Sequence, residues 1–176
     1  YPTKAGYTFN GWVLQDASSV QKDITITAGS TGERLYAASW VRSSQFVAIS
    51  NADDLKNIAN NPNGYYYLTA DIDMSGVEWK AISEFNGILD GNGHTISNIT
   101  YASNESLIYC NNGTILNLHI NKFYSTTSMT NVGGIVYENN GLIQNCSANV
   151  DITFSCARLG LIAVQNNTNG KIIACK

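Results

Sequence analysis

One layout recurs three times along the chain, in LIYCNNGTILNLHINKF at residues 107–123, GGIVYENNGLIQNCSANVDITF at 133–154 and LGLIAVQNNTNGKIIACK at 159–176. When Gly113, Gly141 and Gly170 are placed in register, the copies follow one another at nearly equal intervals. The interval lies within the range of roughly 20 to 50 residues that is typical of solenoid proteins. In such proteins each copy forms one coil that packs against its neighbours.

Apolar residues hold the same places in every copy. Two positions after each glycine there is an isoleucine, and five positions after it there is a leucine or a cysteine. These residues are Ile115, Ile143 and Ile172, and Leu118, Cys146 and Cys175. Short apolar segments joined by Asn and Gly corners indicate a right-handed parallel β-helix whose coils lie about 4.8 Å apart. Cys146 and Cys175 then form an internal column, where we expect free thiols because in-register side chains do not suit a disulfide torsion.

These stretches also carry a family resemblance. GGIVYENNGLIQNCSANVDI at 133–152 is similar to the GLUG repeat. Before it, ISNADDLKNIANNPNGYYYLTADIDMSGVEWKAI at 49–82 and FNGILDGNGHTISNIT at 85–100 resemble the opening segment of pectate-lyase-like β-helices in bacterial surface proteins. The resemblance implies a helix that caps the first coil. It also implies large extracellular proteins, among them immunoglobulin A peptidases and adhesins, in which the β-helix is a non-catalytic stalk or binding platform.

The sequence predicts one convincing helix, at residues 51–60. Ser50 or Asn51 can cap its first turn, since both side chains carry an oxygen that accepts a backbone N–H. Leu55 and Ile58 then lie on one face, at helical spacing. This is the segment to which the resemblance assigns the capping role.

The first 42 residues differ in character from the repeats. PTKAGYTFNGW at 2–12, DITIT at 23–27 and LYAASW at 35–40 have the alternation of short strands. They resemble the internalin B-type surface repeat, also called the Listeria-Bacteroides repeat, which implies a small ubiquitin-like (β-grasp) module on secreted and wall-attached bacterial proteins. The family's first strand would precede Tyr1. The chain is therefore expected to be all-β, with a partial β-grasp repeat at 1–42 and a parallel β-helix at 45–176.

Composition and charge exclude several classes of partner. Lys and Arg number 10 against 13 Asp and Glu, a net charge of −3, so the chain lacks the basic surface that nucleic acid requires. No apolar run approaches the roughly 18 residues that span a bilayer, and we expect no membrane insertion. No cofactor is expected. Asparagine is unusually frequent and is assigned to turns.

The polar candidates for chemistry are carboxylates and histidines. Asp71, Asp73 and Asp90 could gather around Ca²⁺, since carboxylates on adjacent parallel strands can share the ion. Each also lies beside a turn, where it can accept backbone N–H groups, and this is the favoured interpretation. His94 and His119 could act as general bases, but a corner hydrogen bond is favoured for His94 and an outward position for His119. We therefore expect neither a metal nor a catalytic site.

Aromatic residues are the candidates for contact with a ligand. Tyr65, Tyr67, Trp79 and Tyr101 could form a face on the exterior on which sugar rings stack. The alternative, which is favoured, is that Tyr66 or its neighbours pack beneath the helix and that the others are ordinary surface tyrosines.

Together these features predict a non-catalytic module of a secreted or wall-attached bacterial surface protein. It would serve as a stalk, display platform or adhesin toward a host or cell-surface protein or glycan. The alternatives are a polysaccharide-cleaving β-helix enzyme and the non-catalytic arm of a surface peptidase. The last coil, KIIACK at 171–176, is expected to leave Ile172 and Cys175 on an open edge that can self-associate.

Overall fold

The computed structural model describes residues 1–101, 106–125, 129–151 and 155–176 of the 176-residue chain. Its residues form two compact units, Tyr1–Phe46 and Val47–Lys176. Strands dominate both units. In the described ranges, no helix is long and apolar enough to cross a membrane.

The first unit is built on a three-stranded antiparallel sheet. Its strands are β1 (Tyr7–Leu14), β2 (Val20–Gln21) and β3 (Tyr36–Arg42). β1 lies in the middle and pairs with both neighbours. Phe9 is buried, and its ring packs edge-on against Trp12 and Trp40 and stacks on Tyr1. This aromatic cluster supplies the apolar contact that holds the small sheet together.

The strand predicted at residues 23–27 does not form, and that part of the prediction is wrong. The segment has no regular structure after the short strand β2, and Ile26 is largely exposed. Alternating apolar residues form a strand only where a neighbouring strand pairs with them and one face is covered. Here the pairing of β2 with β1 ends at Gln21, before this segment begins.

The second unit is a stack of coils that consist almost entirely of short strands. One short α-helix and one 3₁₀ turn lie in its first part. The elements are, in chain order, β4 (Phe46–Ile49), α1 (Ala52–Asn57), the 3₁₀ turn (Ile58–Asn60), β5 (Tyr65–Leu68), β6 (Ile72–Asp73), β7 (Glu78–Trp79), β8 (Ile82–Phe85), β9 (Ile88–Asp90), β10 (Thr95–Tyr101), β11 (Ile108–Asn111), β12 (Thr114–Leu116), β13 (His119–Ser125), β14 (Met129–Gly133), β15 (Val136–Asn139), β16 (Leu142–Gln144), β17 (Ser147–Asn149), β18 (Cys156–Gly160), β19 (Ala163–Asn166) and β20 (Lys171–Ile173).

Strands from successive coils pair in parallel and form three sheet faces and one two-stranded sheet, which consists of β14 and β18. Face 1 consists of β8, β11, β15 and β19. Face 2 consists of β5, β9, β12, β16 and β20, with β4 beyond β5. Face 3 consists of β6, β10, β13 and β17, with β7 also paired to β10. The unit is thus a β-solenoid of about four coils. The prediction of a parallel β-helix is confirmed at this level.

The register of the coils follows the alignment of the repeats. Ile143 pairs with Ile115 on one side and with Ile172 on the other. Cys146 is buried in the core, and Cys175 packs against it as a partly buried neighbour. Both are free thiols, and burial raises the pKa of the Cys146 thiol to about 12. The repeated apolar positions therefore form a continuous core through Ile115, Leu118, Ile143 and Cys146, whereas Ile172 in the last coil is 38% exposed.

A helix forms within the range predicted for it. Asn51 is its N-cap, because its Oδ1 accepts the backbone N–H of Asp54 at 2.9 Å. The carboxylate of Asp54 accepts in return from the backbone N–H and the hydroxyl of Ser50, which holds the pKa of Asp54 below its ordinary value. Leu55 and Ile58 are fully buried and belong to the same core cluster as the coils.

A left-handed backbone recurs at one place in successive coils. Asn117, Asn145 and Ala174 have φ angles of 49°, 55° and 53°. Asparagine tolerates this conformation because its side chain can form hydrogen bonds with the nearby backbone. Alanine has no such group, so the conformation is strained at Ala174. We expect Ala174→Asn to raise the free energy of unfolding by about 0.5 to 1 kcal/mol, as measured by urea denaturation.

The control for this substitution is Thr168→Asn. Thr168 is an exposed corner residue outside the set with positive φ, and its replacement should change the stability by less than about 0.5 kcal/mol. If the two variants had equal stability, the strain assigned to Ala174 would be refuted.

Candidate functional site

Asparagine side chains at the corners form hydrogen-bonded ladders along the solenoid. In the outer ladder, the Nδ2 of each asparagine donates to the Oδ1 of the asparagine one coil earlier, over 2.8 to 3.0 Å. Its members are Asn63, Asn86, Asn112, Asn140 and Asn167. Sequence reasoning assigned asparagine to turns and missed the ladder. The signal was that Asn112 and Asn140 each directly precede an aligned glycine, Gly113 and Gly141.

An inner ladder runs beside the outer one with the opposite polarity. The Nδ2 of Asn111 donates to the Oδ1 of Asn139, and the Nδ2 of Asn139 donates to the Oδ1 of Asn166, both over 2.8 Å. Asn111 and Asn139 are fully buried. Phe85 holds the same place in the coil before Asn111. The ladder satisfies amide groups that would otherwise be costly to bury.

The three candidate calcium ligands each have partners of their own. Oδ1 of Asp71 accepts the backbone N–H of Thr95 at 2.8 Å, and the Thr95 bond and His94 together hold the pKa of Asp71 below its ordinary value. Asp73 accepts hydrogen bonds from Asn98 and Ser75. These bonds lower the pKa of Asp73, and the bond from Asn98 has the largest effect.

Asp90 differs from these two because it is buried. Its Oδ1 accepts the backbone N–H of Asn92 at 2.8 Å and the Nδ2 of Asn117 at 3.0 Å. Asn117 in turn accepts from Asn145, which makes a third, shorter ladder. Within the described ranges, no group of three or more His, Cys, Asp or Glu side chains could hold a metal ion.

The two histidines lie beside polar partners. His94 is at a corner, with its Nδ1 3.2 Å from the Oδ1 of Asp71. The Nδ1 of His119 lies 2.8 Å from the Oγ of Ser147, its in-register neighbour one coil later. In the part of the chain that the structure describes, no carboxylate is hydrogen-bonded to His119. The pair of His119 and Ser147 therefore lacks, within the described residues, the carboxylate that orients the imidazole in a hydrolytic triad.

Half of the residues considered for an aromatic face on the exterior are buried, so Trp79 and Tyr101 cannot belong to such a face. Trp79 is 1% exposed and Tyr101 is 0% exposed. The two residues are in register on β7 and β10, with their side chains in the core. The indole N–H of Trp79 donates to the carbonyl of Leu107, and the hydroxyl of Tyr101 donates to the carbonyl of Gly134. Neither ring can offer a face to a ligand.

Tyr65 and Tyr67 remain at the surface but on face 2. Both are half-buried, and they lie in register with Ile88 and Asp90. The structure thus separates the four residues that the sequence placed on a single face.

An exposed aromatic pair occurs on face 1, where the sequence did not predict one. The rings of Tyr109 and Tyr137 stack with their centroids 4.8 Å apart and their planes 7° from parallel. Tyr109 is 42% exposed. Each tyrosine lies four positions before its aligned glycine, Gly113 or Gly141, and this shared place in the repeat could have identified the pair.

An acidic column flanks the tyrosines. Cys110 pairs with Glu84 on one side and with Glu138 on the other. Burial raises the pKa of the Cys110 thiol, and the two glutamates raise it further, so this thiol is a poor nucleophile at neutral pH. Burial and the charge of Glu138 also raise the pKa of Tyr109. The face therefore combines aromatic rings with acidic side chains.

The comparisons with known proteins concern the fold. No protein-family model matches the chain, and no curated protein matches it. Among solved structures, the chain is similar to that of "a putative immunoglobulin A1 protease from Bacteroides ovatus", with a TM-score of 0.52 and 22% sequence identity. The match covers 73% of this chain and 45% of that one, so the chain spans less than half of that protein. The likeness supports the β-solenoid fold.

Proposed function

We propose that the chain is a non-catalytic module of a secreted or wall-attached bacterial surface protein, where it serves as a stalk, display platform or adhesin. The observation that carries the proposal is the register that repeats from coil to coil. Core residues and asparagine ladders recur at fixed places, as with Ile115 and Ile143 or Asn112 and Asn140. Outward positions such as Tyr109 are not constrained by the core. Such a stack holds surface groups at a regular spacing.

The polar side chains support a non-catalytic role. The carboxylates of Asp71 and Asp73 accept hydrogen bonds from Thr95 and Asn98 in the next coil, and Glu84 accepts from Asn112. In the described ranges, the pair of His119 and Ser147 has no carboxylate partner. These groups therefore contribute to the corners and to the pairing of coils.

The finer architecture is part of the same proposal. The solenoid is right-handed, as in the GLUG-repeat and pectate-lyase-like proteins that the sequence resembles. α1 caps the open end of the first coil, a role supported by the burial of Leu55 and Ile58 in the core. Residues 1–42 are a partial internalin B-type β-grasp repeat, which the three-stranded antiparallel sheet supports.

The non-catalytic arm of a surface peptidase is a second candidate. The fold likeness to the Bacteroides ovatus protein favours it over a polysaccharide-cleaving enzyme. In that case the chain positions a catalytic domain on its substrate and does not itself cleave it.

The test is an assay of the purified chain for cleavage and for adhesion. It is incubated with a panel of polysaccharides and with immunoglobulin A1, and new reducing ends, unsaturated sugars and peptide fragments are measured. We expect none above the level of the variant Glu84→Gln/His119→Ala. Beads coated with the chain are expected to adhere to bacterial or host-cell surfaces. The proposal would be overturned if the parent chain cleaved a substrate that this variant did not cleave. It would also be overturned if the parent chain cleaved a substrate and the coated beads did not adhere.

A further inference from the structure

Most asparagines of the outer ladder belong to a chemically reactive dipeptide. Asn63, Asn86, Asn112 and Asn140 are each followed directly by glycine. In an Asn-Gly pair the backbone nitrogen of the glycine can attack the Cγ of the asparagine, because glycine has no side chain to obstruct the approach. The glycine nitrogen gives up its proton, the bond from Cγ to the side-chain nitrogen breaks, and that nitrogen leaves as ammonia. Water then opens the resulting succinimide ring to aspartate or isoaspartate.

In the ladder both reacting groups are held by neighbouring coils. The side-chain amides of Asn86, Asn112 and Asn140 each donate to the ladder neighbour on one side and accept from the neighbour on the other. The N–H of the glycine that follows each of them donates to a backbone carbonyl of the preceding coil, over 3.0 Å. The attack on Cγ therefore requires that hydrogen bonds between two coils open first.

The corner of the last coil departs from this arrangement. Asn169 directly precedes Gly170, just as Asn112 and Asn140 precede their aligned glycines. The ladder place is nevertheless held by Asn167, two residues earlier, whose Nδ2 donates to Asn140. Asn169 is exposed, and in the described part of the chain its side-chain amide has no hydrogen-bond partner. Its Cγ is thus not held by another coil.

The N–H of Gly170 is bonded within its own corner. It donates to the carbonyl of Asn167 at 2.9 Å, which is the bond that closes a turn of four residues. Such a bond opens with a local change in the turn, whereas the bonds of the ladder glycines open when two coils separate. The same dipeptide therefore has two different environments in this chain.

Asn63 has an intermediate environment. It begins the ladder, and its Oδ1 accepts from the Nδ2 of Asn86. The N–H of Gly64, however, donates within its own corner, to the carbonyl of Asn61 at 3.0 Å. One of the two reacting groups is thus held by another coil and the other is not.

We propose that Asn169 is a site of spontaneous deamidation, and that the ladder protects the Asn-Gly pairs of the earlier coils from the same reaction. The substrate is the chain itself, and water is the co-reactant. Deamidation of Asn169 adds a negative charge to an exposed corner of the last coil. Formation of isoaspartate also inserts the side-chain methylene group into the backbone at that corner.

The test is peptide mapping of the whole chain during incubation at mildly alkaline pH, which favours the deprotonated glycine nitrogen. Samples are digested with pepsin in acid, where the reaction is slow, and each Asn-Gly peptide is quantified by mass spectrometry. In the folded chain we expect Asn169 to react at least about tenfold faster than Asn86, Asn112 and Asn140, with Asn63 between them. In concentrated urea the difference between Asn169 and the ladder residues is expected to fall below about threefold, since every pair is then released.

Variants assign the reaction to its site. Asn169→Ser is expected to remove the fastest phase of ammonia release from the folded chain. Asn149→Ser replaces an exposed asparagine that precedes valine, and this matched control should release ammonia as fast as the parent. Both variants are compared with the parent in thermal unfolding, so that a change caused by a loosened fold is recognised.

Three results would refute the inference. They are equal rates at Asn169 and at the ladder residues in the folded chain, a difference that persists in urea, and a folded chain in which Asn169 keeps its amide. The assay measures neither cleavage nor adhesion, so the proposed non-catalytic function stands or fails separately.

Discussion

Gly141→Val is expected to lower the free energy of unfolding by about 3 kcal/mol or more, or to prevent folding. A Cβ at this position would overlap the carbonyl oxygen of Gly113 in the preceding coil and would lie 2.8 Å from the carbonyl carbon of Asn112. That oxygen accepts the backbone N–H of Leu142 at 2.9 Å. Because these are backbone atoms of paired strands, they cannot move without breaking the backbone hydrogen bonds between the two coils.

The measurement is urea denaturation followed by circular dichroism, with Gln144→Val as the control. Gln144 is an exposed residue on β16 of the same coil, and valine favours strands, so the control should differ from the parent by less than about 0.5 kcal/mol. A Gly141→Val chain as stable as the control would show that the coils are not packed as closely as described. A glycine that recurs at the same place in every copy can serve either a positive φ or a close approach of two backbones. The structure assigns the close approach, since Gly141 is not among the positive-φ glycines.

The repeats predicted the register because a parallel stack places each residue opposite the one a full coil later. Ile115, Ile143 and Ile172 share a place for this reason, and the observed pairing follows from their spacing. The first coils are harder to align. Ile82 and Ile108 pair although they are closer in sequence than Ile108 and Val136, because the corners differ in length.

That difference explains why the residues considered for an aromatic face do not lie together. Trp79 and Tyr101 lie in the irregular part of the stack, where no repeat showed which side chains point inward. Tyr109 and Tyr137 lie in the regular part, and the observed register that pairs Ile108 with Val136 also places them together. An alignment of every position, and not of apolar ones alone, would have predicted the exposed pair.

Two neighbouring asparagines show that residue type alone does not determine whether a side chain is buried or exposed. Asn111 is fully buried and Asn112 is exposed, although the two are adjacent and identical. A strand sends successive side chains to opposite faces, so the direction of each depends on where β11 ends. The strand ends at Asn111, and Asn112 begins the corner. Only the structure shows this boundary, and with it the separation of the inner and outer ladders.

Asn139→Leu is expected to lower the free energy of unfolding by about 2 to 3 kcal/mol, through the loss of a hydrogen-bond partner inside the core. Asn139 is fully buried between two amides. Its Oδ1 accepts from Asn111, and its Nδ2 donates to Asn166. Leucine has a similar size, so the cost comes from the buried Nδ2 group of Asn111 that is left without an acceptor.

A second variant separates this cost from a packing defect. In Asn111→Leu/Asn139→Leu both members of the buried pair are apolar, and Phe85 in the preceding coil shows that an apolar side chain is accommodated in this column. The double variant should therefore be less destabilised than the sum of the two single variants, by about 1 kcal/mol or more. Asn140→Leu, in the half-exposed outer ladder, is the matched control and should cost less than Asn139→Leu, since water can reach the groups it leaves unpaired. Equal costs at Asn139 and Asn140, or strict additivity in the double variant, would show that the inner ladder does not stabilise the stack through its buried hydrogen bonds.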